Sequence, residues 1–486
     1  MKQLSSLDAQ FLAIEDGRRT GHVAGLAVHD PSTAPGGTFD CGSMMQLLSE
    51  RMHLLPPLTW RLVEVPFGLD YPYWVDDDRF DLTYHVRESA LPSPGSDRQL
   101  ADLVSRLHAR PLNRDRPLWE MYVISGLQKG YVAVYTKIHH AVIDGVSGAE
   151  ITGLLLDLSP EQRPIDPPGP ALSRHHPSGV ELWGRALLGV PRYQARLLRS
   201  LPRALPNLDE TTFAALPGIG RAGRLAGRLQ RIVGGDGNRV ARSPMRAPRT
   251  SFNGRVSANR RFAFGSIDLQ RVKAVKNAYQ VTVNDVVVAV CAGTVRRWLL
   301  DHKELPEQPL VVQIPVSVRT EEQSGTYGNR VLMLAAPLHT DIAEPAARLT
   351  ATAASLRHLK ERHRALPADL LSDVNHFIPP ALFSRAAKAT FALATSSLGR
   401  PTWNVVVSNV PGPQFPLYCG GARLVANYPV SVITDGLGLN ITVMSYDGHV
   451  DIGIIVDREQ IPDVWSLIDG FDLSLAELED SQPAPG

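Results

Sequence analysis

The stretch Tyr131 to Gly145, reading YVAVYTKIHHAVIDG, constrains this 486-residue chain more than any other. Tyr131 to Ile138 carries the period of two that marks a strand, and Val146 to Leu158 returns to helical apolar spacing. His139 and His140 therefore stand where a strand runs out into a turn. Successive strand side chains leave on opposite faces, so the two imidazoles cannot both enter one cavity, and one alone can serve there as a base. Gly145 suits a sharp turn into the following helix. Asp144 is short enough to fix that turn by bonding nearby backbone or a buried cation.

A histidine pair can end a strand by accident or bind a metal. The metal reading fails on geometry, because adjacent strand residues diverge and no other His, Cys or carboxylate cluster lies near in sequence. No metal is expected. Two histidines followed at fixed distance by Asp-Gly seldom arise by chance, which favours a catalytic turn. Imidazole chemistry suits that role, since an unperturbed pKa near 6.5 lets the ring take and return a proton at neutral pH.

Elements on either side give an α/β pattern in two halves. The first mixes strands over His22 to Val28, Leu118 to Ile124 and Tyr131 to Ile138 with helices over Cys41 to Leu54 and Arg98 to Ala109. The second runs from a strand at Arg260 to Phe264 through a helix over Asn284 to Leu300 and a strand over Leu310 to Val318. It closes with strands near Asn404 to Ser408, Leu439 to Ser445 and Val450 to Val456. A chain this long exceeds what one core usually holds. The expected division is a lobe over 1–165, a crossover over 166–250, a second lobe over 251–480 and a tail over 481–486. Ile165 to Val180, rich in Pro, Ser and Gly, fits an exposed connection.

Composition excludes several classes. The net charge of +1 argues against a nucleic-acid binder. Cys41, Cys291 and Cys419 lie far apart and match no metal spacing, which suits a reducing cytoplasm. The first twenty residues lack an uninterrupted apolar stretch, and no run of about 18 apolar residues occurs, so secretion and membrane spanning are not expected.

Beyond the histidine motif, LSSLDAQFLAIED (Leu4 to Asp16), RPLWE (Arg116 to Glu120), VNDVVVAV (Val283 to Val290), PVSVR (Pro315 to Arg319), YGNR (Tyr327 to Arg330) and SNVPGP (Ser408 to Pro413) follow in order. In these the chain resembles, over nearly its whole length, the bacterial wax ester synthase/diacylglycerol acyltransferases of the CoA-dependent acyltransferase superfamily. HHxxxDG is shared with peptide-synthetase condensation domains; the other segments, in this order, look specific to the wax ester branch. The resemblance implies two chloramphenicol-acetyltransferase-like lobes, each a mixed sheet with flanking helices, meeting at a tunnel with the histidine turn midway.

The resemblance also assigns roles. His140, the second histidine, is the general base, taking the acceptor's proton and returning it to the departing CoA thiolate without an acyl-enzyme. His139 supports the turn or lines its far side. Asp144 is structural, held by an ion pair for which Arg61 is the candidate partner. Ser408 and Asn409, at the end of the apolar run Trp403 to Val407, are candidate oxyanion donors, with a plain turn signature as the alternative. Asn284 and Asp285 open a helix, so N-capping accounts for them first. Pro117, Leu118 and Trp119 lead into a strand, where packing is the ordinary reading and a tunnel wall the other.

Residues 181–250 break the charge balance with 13 Arg and no Lys against four acids, a net of +9. Arg192, Arg196, Arg199 and Arg203 recur at helical spacing opposite Val190, Tyr193, Leu197 and Leu201, although Pro191 and Pro202 limit any helix. Such an element would either adsorb to an anionic membrane or lipid-droplet surface or serve as a solvated linker. Gly218 to Gly223 matches a dinucleotide pattern, but Pro217 precedes it, no convincing strand leads in, and no acid follows about 20 residues on. His175 and His176 lack a nearby carboxylate and read as surface residues.

The expected function is diacylglycerol O-acylation from long-chain acyl-CoA, the co-substrate, with no separate cofactor. Long-chain alcohols would give wax esters. The expected location is cytoplasmic, peripheral to the inner membrane face or lipid droplets. Two alternatives stand beside it: a condensation or polyketide-associated acyltransferase served by a carrier protein, and a non-catalytic protein that binds lipid droplets.

Overall fold

The computed structural model describes residues 1–66, 69–142, 151, 153–167, 181, 184, 247–317, 331–364 and 401–482. Its first part holds strands β1 (Lys2–Gln3), β2 (His22–Asp30), β3 (Trp60–Val63), β4 (Tyr73–Asp76), β5 (Val86–Ala90), β6 (Trp119–Ser125) and β7 (Val132–His139). Helices α1 (Ser6–Ala13), α2 (Cys41–Arg51), α3 (Leu82–His85) and α4 (Asp97–Ala109) accompany them. The later part holds β8 (Arg260–Asp268), β9 (Leu310–Ser317), β10 (Val331–Leu338), β11 (Val405–Val410), β12 (Tyr418–Cys419), β13 (Ala422–Val430), β14 (Leu439–Tyr446) and β15 (His449–Asp457). Its helices are α5 (Leu269–Ala278), α6 (Val283–Asp301), α7 (Pro345–Arg364) and α8 (Trp465–Asp480).

Two six-stranded mixed sheets organise the lobes, in the orders β12-β13-β2-β7-β6-β5 and β10-β9-β11-β14-β15-β8; β1, β4 and β3 form a small third sheet. The lobes do not follow the chain simply. Strand β13, from the later half, pairs antiparallel with β2 from Arg423 opposite Asp30 to Val430 opposite Ala24, and so completes the first sheet. The expected second lobe over 251–480 thus lends residues 418–430 to its neighbour.

Alternation along β7 sorts its side chains. Val132, Val134 and Ile138 join Met44, Leu47 and Leu48 of α2 in the first lobe's core. Ala133 and Tyr135, on the other face, join Leu100, Val104 and Leu107 of α4 and Phe262, Phe264 and Ile455 of the second sheet. Helix α4 is thereby packed between the two sheets. The Phe262 N–H donates to the Ser105 hydroxyl at 2.9 Å across this junction.

The second lobe's core gathers around α6, buried from Asp285 through Val295, which explains a helix so rich in valine. Its N-cap is Thr282, not Asn284 or Asp285; Asp285 at N3 closes a capping box with it. No single described helix is long and apolar enough to cross a membrane. Helices α5 and α6 meet the combined requirement of length and hydropathy only as a pair, bent by 103°. None of the three cysteines is paired.

Candidate active site

Strand β7 ends on His139, and His140 begins the turn. Their backbones are pinned separately: the His139 N–H donates to the Leu118 carbonyl at 2.9 Å and the His140 N–H to the Gly21 carbonyl at 2.8 Å. The rings part as alternation requires. His139 is 1% exposed on the face of Tyr135 and Lys137, whereas His140 is half-buried.

His139 is hydrogen-bonded at one nitrogen and faces a carboxylate with the other. Nδ1 accepts from the Ala141 N–H at 3.0 Å, which places the proton of the neutral ring on Nε2. That Nε2 lies 3.2 Å from Glu15 Oε1. The same carboxylate oxygen accepts from the Gly21 N–H at 2.7 Å, and Oε2 accepts from Arg114 at 2.8 Å. Burial would raise the Glu15 carboxyl, but His139, Arg114 and the Gly21 N–H together outweigh it and hold the group at about 2. Glu15 is therefore an anion at any working pH.

His140 stacks on Phe11 of α1, with centroids 4.0 Å apart and planes 5° from parallel. A ring face so placed favours the positive charge that develops when an imidazole accepts a proton. Helix α1 is set by its capping box between Ser5 and Asp8, and the Arg114 guanidinium donates to its Leu12 carbonyl at 2.7 Å. Gly21 is required by closeness: a Cβ there would stand 2.8 Å from the Phe11 carbonyl oxygen and 2.9 Å from His139 Nε2.

A buried polar layer backs the pair. His22, opposite His139 in the β2–β7 register, has Nε2 2.6 Å from the His108 carbonyl oxygen, and His108 Nδ1 lies 2.8 Å from the Tyr135 hydroxyl. Burial first, then the neighbouring Lys137 among other charges, lowers His22 well below its ordinary value and His108 to about 3. Both rings are neutral near pH 7. Lys137, fully buried, donates to the Leu107 and Arg110 carbonyls at 3.0 Å and pairs with Glu120 at 3.2 Å.

Asp144 and Gly145 lie outside the described residues, as do Arg319, the YGNR segment and the arginines from 185 to 246. Arg61 faces Asp77 at 4.0 Å. It lines a cavity of about 460 Å³ with Asp77, Arg79, Asn113 and Arg116, and neither histidine, Ser408 nor Asn409 borders that space. Among the described residues, two arginines grip the segment after the histidine turn: Arg163 donates to the Gly153 and Leu154 carbonyls at 3.2 and 2.6 Å, and Arg51 is the buried one. It donates to the Leu154 and Leu155 carbonyls at 3.1 and 3.0 Å and to Asp157 at 2.6 Å.

Pro117, Leu118 and Trp119 are buried packing residues. Trp119 donates from Nε1 to the Leu58 carbonyl at 2.7 Å and stacks on His85. Asn409 Nδ2 donates to Asn284 Oδ1 at 3.2 Å, joining two of the sequence candidates. Ser408, its neighbour on β11, leaves on the opposite face, so the two are not donors into one space. The residues that spacing did not reveal are Phe11, Glu15, Gly21 and Arg114. Only a family signature covered the first two, and no local pattern pairs a carboxylate with an imidazole more than a hundred residues away.

Residues 4–287 match the wax ester synthase/diacylglycerol acyltransferase catalytic domain and residues 327–479 the C-terminal domain of the same family. A putative diacylglycerol O-acyltransferase of Mycobacterium tuberculosis is 36% identical over 99% of this chain and 92% of its own length. The O-acyltransferase WSD of Acinetobacter baylyi is 32% identical over 96% of this chain and 95% of its own. Among solved structures, the wax ester synthase/diacylglycerol acyltransferase of Marinobacter aquaeolei VT8 is 31% identical and superposes with a TM-score of 0.70, covering 99% of this chain and 100% of that one. A condensation domain of the CDA synthetase shares the fold at a TM-score of 0.55 and 15% identity, covering 99% of this chain and 97% of its own.

Two mixed-sheet lobes, one with a histidine pair at a strand end, are the fold that these structures have in common. Within it, this chain belongs to the wax ester synthase/diacylglycerol acyltransferase family.

Proposed function

We propose that the protein transfers a long-chain acyl group from acyl-CoA to the hydroxyl of diacylglycerol, forming triacylglycerol, and esterifies long-chain alcohols by the same chemistry. The carrying observation is the division of labour between the two imidazoles. His139 is buried with Nδ1 bonded to the Ala141 N–H and Nε2 against Glu15, while His140 is half-buried and held by a ring stack and its backbone.

A hydroxyl is a poor nucleophile at neutral pH, so the acceptor's proton must leave as oxygen attacks the thioester carbonyl. His140 takes it. The tetrahedral oxyanion then collapses, the carbon–sulfur bond breaks, and the proton returns from His140 to the thiolate. One of Ser408 and Asn409, which leave β11 on opposite faces, is the proposed oxyanion donor, a contact worth about 3 kcal/mol. Asp144 and Gly145 shape the turn, and a passage between the lobes admits thioester and lipid alcohol from its two mouths.

Long-chain acceptors reside in lipid. The excess of arginine over residues 181–250 supports adsorption to an anionic membrane or droplet surface. Vesicles containing phosphatidylglycerol should bind the wild-type chain and bind less of a variant with several of these arginines changed to glutamine; equal binding would end that reading.

The activity test uses purified full-length protein, a long-chain acyl-CoA, and dioleoylglycerol or hexadecanol. Acceptor-dependent thiol release should fall by roughly 10² or more in His140→Ala. Unchanged release would refute the base assignment. A requirement for a phosphopantetheinylated carrier in place of free acyl-CoA would transfer the protein to the condensation reading.

A further inference from the structure

The loop from Glu15 to Gly21 touches both histidines on its inner side, through the Glu15 carboxylate and the Gly21 carbonyl. Its outer side is gripped from the second lobe. Asp16 Oδ1 accepts from the Arg18 and Arg19 backbone N–H groups at 2.9 Å, and Arg19 also donates from its side chain to Oδ2 at 2.7 Å, folding the loop into a tight unit. Both guanidiniums then reach Asp435, Arg18 at 3.5 Å and Arg19 at 3.4 Å.

Asp435 lies between β13 and β14, where the chain passes from the first sheet to the second. Its side chain is 4% exposed and accepts from the Val256 N–H at 3.0 Å. Arg18 also donates to the Val256 carbonyl at 2.8 Å, and Arg260 of β8 donates to the Arg18 carbonyl at 2.6 Å. Arg260 in turn lies 3.9 Å from buried Asp457. Three carboxylates thus balance three guanidiniums in a largely buried cluster that spans the lobes. A surface ion pair would contribute little, but here loss of one partner would leave buried charge uncompensated.

We propose that Asp435 is a positioning residue for the histidine pair. By holding Arg18 and Arg19 from the segment between β13 and β14, it sets the loop that carries Glu15 and Gly21, and therefore sets where His139 and His140 stand. Lobe placement and histidine placement are one mechanical unit. This inference rests on the acyltransferase reading for its kinetic readout.

The test compares Asp435→Asn, Asp435→Glu, Glu15→Gln and the Asp435→Asn/Glu15→Gln pair in the full chain. Asp435→Asn should lower kcat about tenfold, since small misplacements of reacting groups are costly, with KM for acyl-CoA and acceptor within about twofold. Asp435→Glu should recover most of kcat. The double variant should be no slower than Glu15→Gln alone, because the two residues act through one loop. Multiplying losses, or an unchanged kcat in Asp435→Asn, would overturn the proposal. Should Asp435→Asn fail to fold, Arg18→Gln removes one contact of the same carboxylate and is read identically.

A wild-type protein without thiol release would sink the acyltransferase reading instead. Positioning is then read by NMR of ¹⁵N-histidine protein. The imidazole signals assigned with His139→Gln should move in Asp435→Asn, and unmoved signals would refute the inference.

Discussion

Replacing Gly21 by alanine should misplace His139 more than it unfolds the protein. The new methyl group would stand 2.9 Å from His139 Nε2, 3.2 Å from Cε1 and 2.8 Å from the Phe11 carbonyl oxygen. Ordinary contact requires about 3.5 Å, so the ring or helix α1 must give by roughly half an ångström. Overpacking of this size costs about 1 to 3 kcal/mol. Loss of a glycine from the unfolded chain returns roughly 0.4 to 1 kcal/mol. The net destabilisation is therefore roughly 0 to 2.6 kcal/mol, a shift of at most about 3 °C in thermal midpoint for a chain this long. Activity should suffer more, because the ring that moves accepts the Ala141 N–H and so shapes the turn bearing His140. A fall in kcat of about tenfold or more is expected. Gly25→Ala, on β2 four residues further on, is the control: its Cβ would meet only the Asn427 side-chain oxygen, at 3.3 Å. The assay pairs acyl-CoA turnover with differential scanning fluorimetry on both variants. Equal kcat in Gly21→Ala and Gly25→Ala would refute the account of the cradle.

Other expectations follow from the same geometry. Glu15 is held at about 2 against an ordinary 4.5, so its contribution to stability is complete above about pH 4.5 and fades as pH falls towards 2. At roughly 1.4 kcal/mol per pH unit the ceiling is about 3 kcal/mol. Denaturant titrations should therefore show wild type and Glu15→Gln converging between those pH values, and a constant gap down to pH 2 would exclude the mechanism. Arg51→Met leaves Asp157, buried at 3% exposure, without its closest cation; stability should drop by about 3 kcal/mol. Adding Asp157→Leu should recover much of it in chemical unfolding, and no recovery would mean Arg51 acts through the Leu154 and Leu155 carbonyls alone.

The sequence exposed what is local and concealed what is distant. Alternation before His139 gave the strand and the divergence of the two rings, and the run after Asn284 gave a helix, which the structure finds buried from Asp285 to Val295. The sequence places the helix starts to within a residue, at Cys41 as observed and at Arg98 and Asn284 one late; the cap of the last is Thr282, whose hydroxyl accepts from the Asp285 N–H, and Asn284 instead reaches Asn409. Arg61, the expected partner of Asp144, faces Asp77, and Asp144 itself lies outside the described residues. The cradle residues Phe11, Glu15 and Gly21 meet the histidines across more than a hundred residues. Such contacts have no period, and only the family signature at the N-terminus marked the segment that makes them. Strand β13 is hidden altogether: no strand is read from the sequence over 422–430, and pairing with β2 some four hundred residues away leaves no local pattern.

That borrowed strand governs how the chain can be made and divided. Until residue 430 has been synthesised, β2 has no partner on one side, and the sheet bearing the histidines presents an open edge on which other chains can template. A fragment ending at residue 287, where the catalytic-domain match stops, would carry both imidazoles and still lack the strand that seals their sheet. The nascent first half must therefore wait for the second, and a split version of the enzyme would work only with the break placed so that residues 418–430 return to β2.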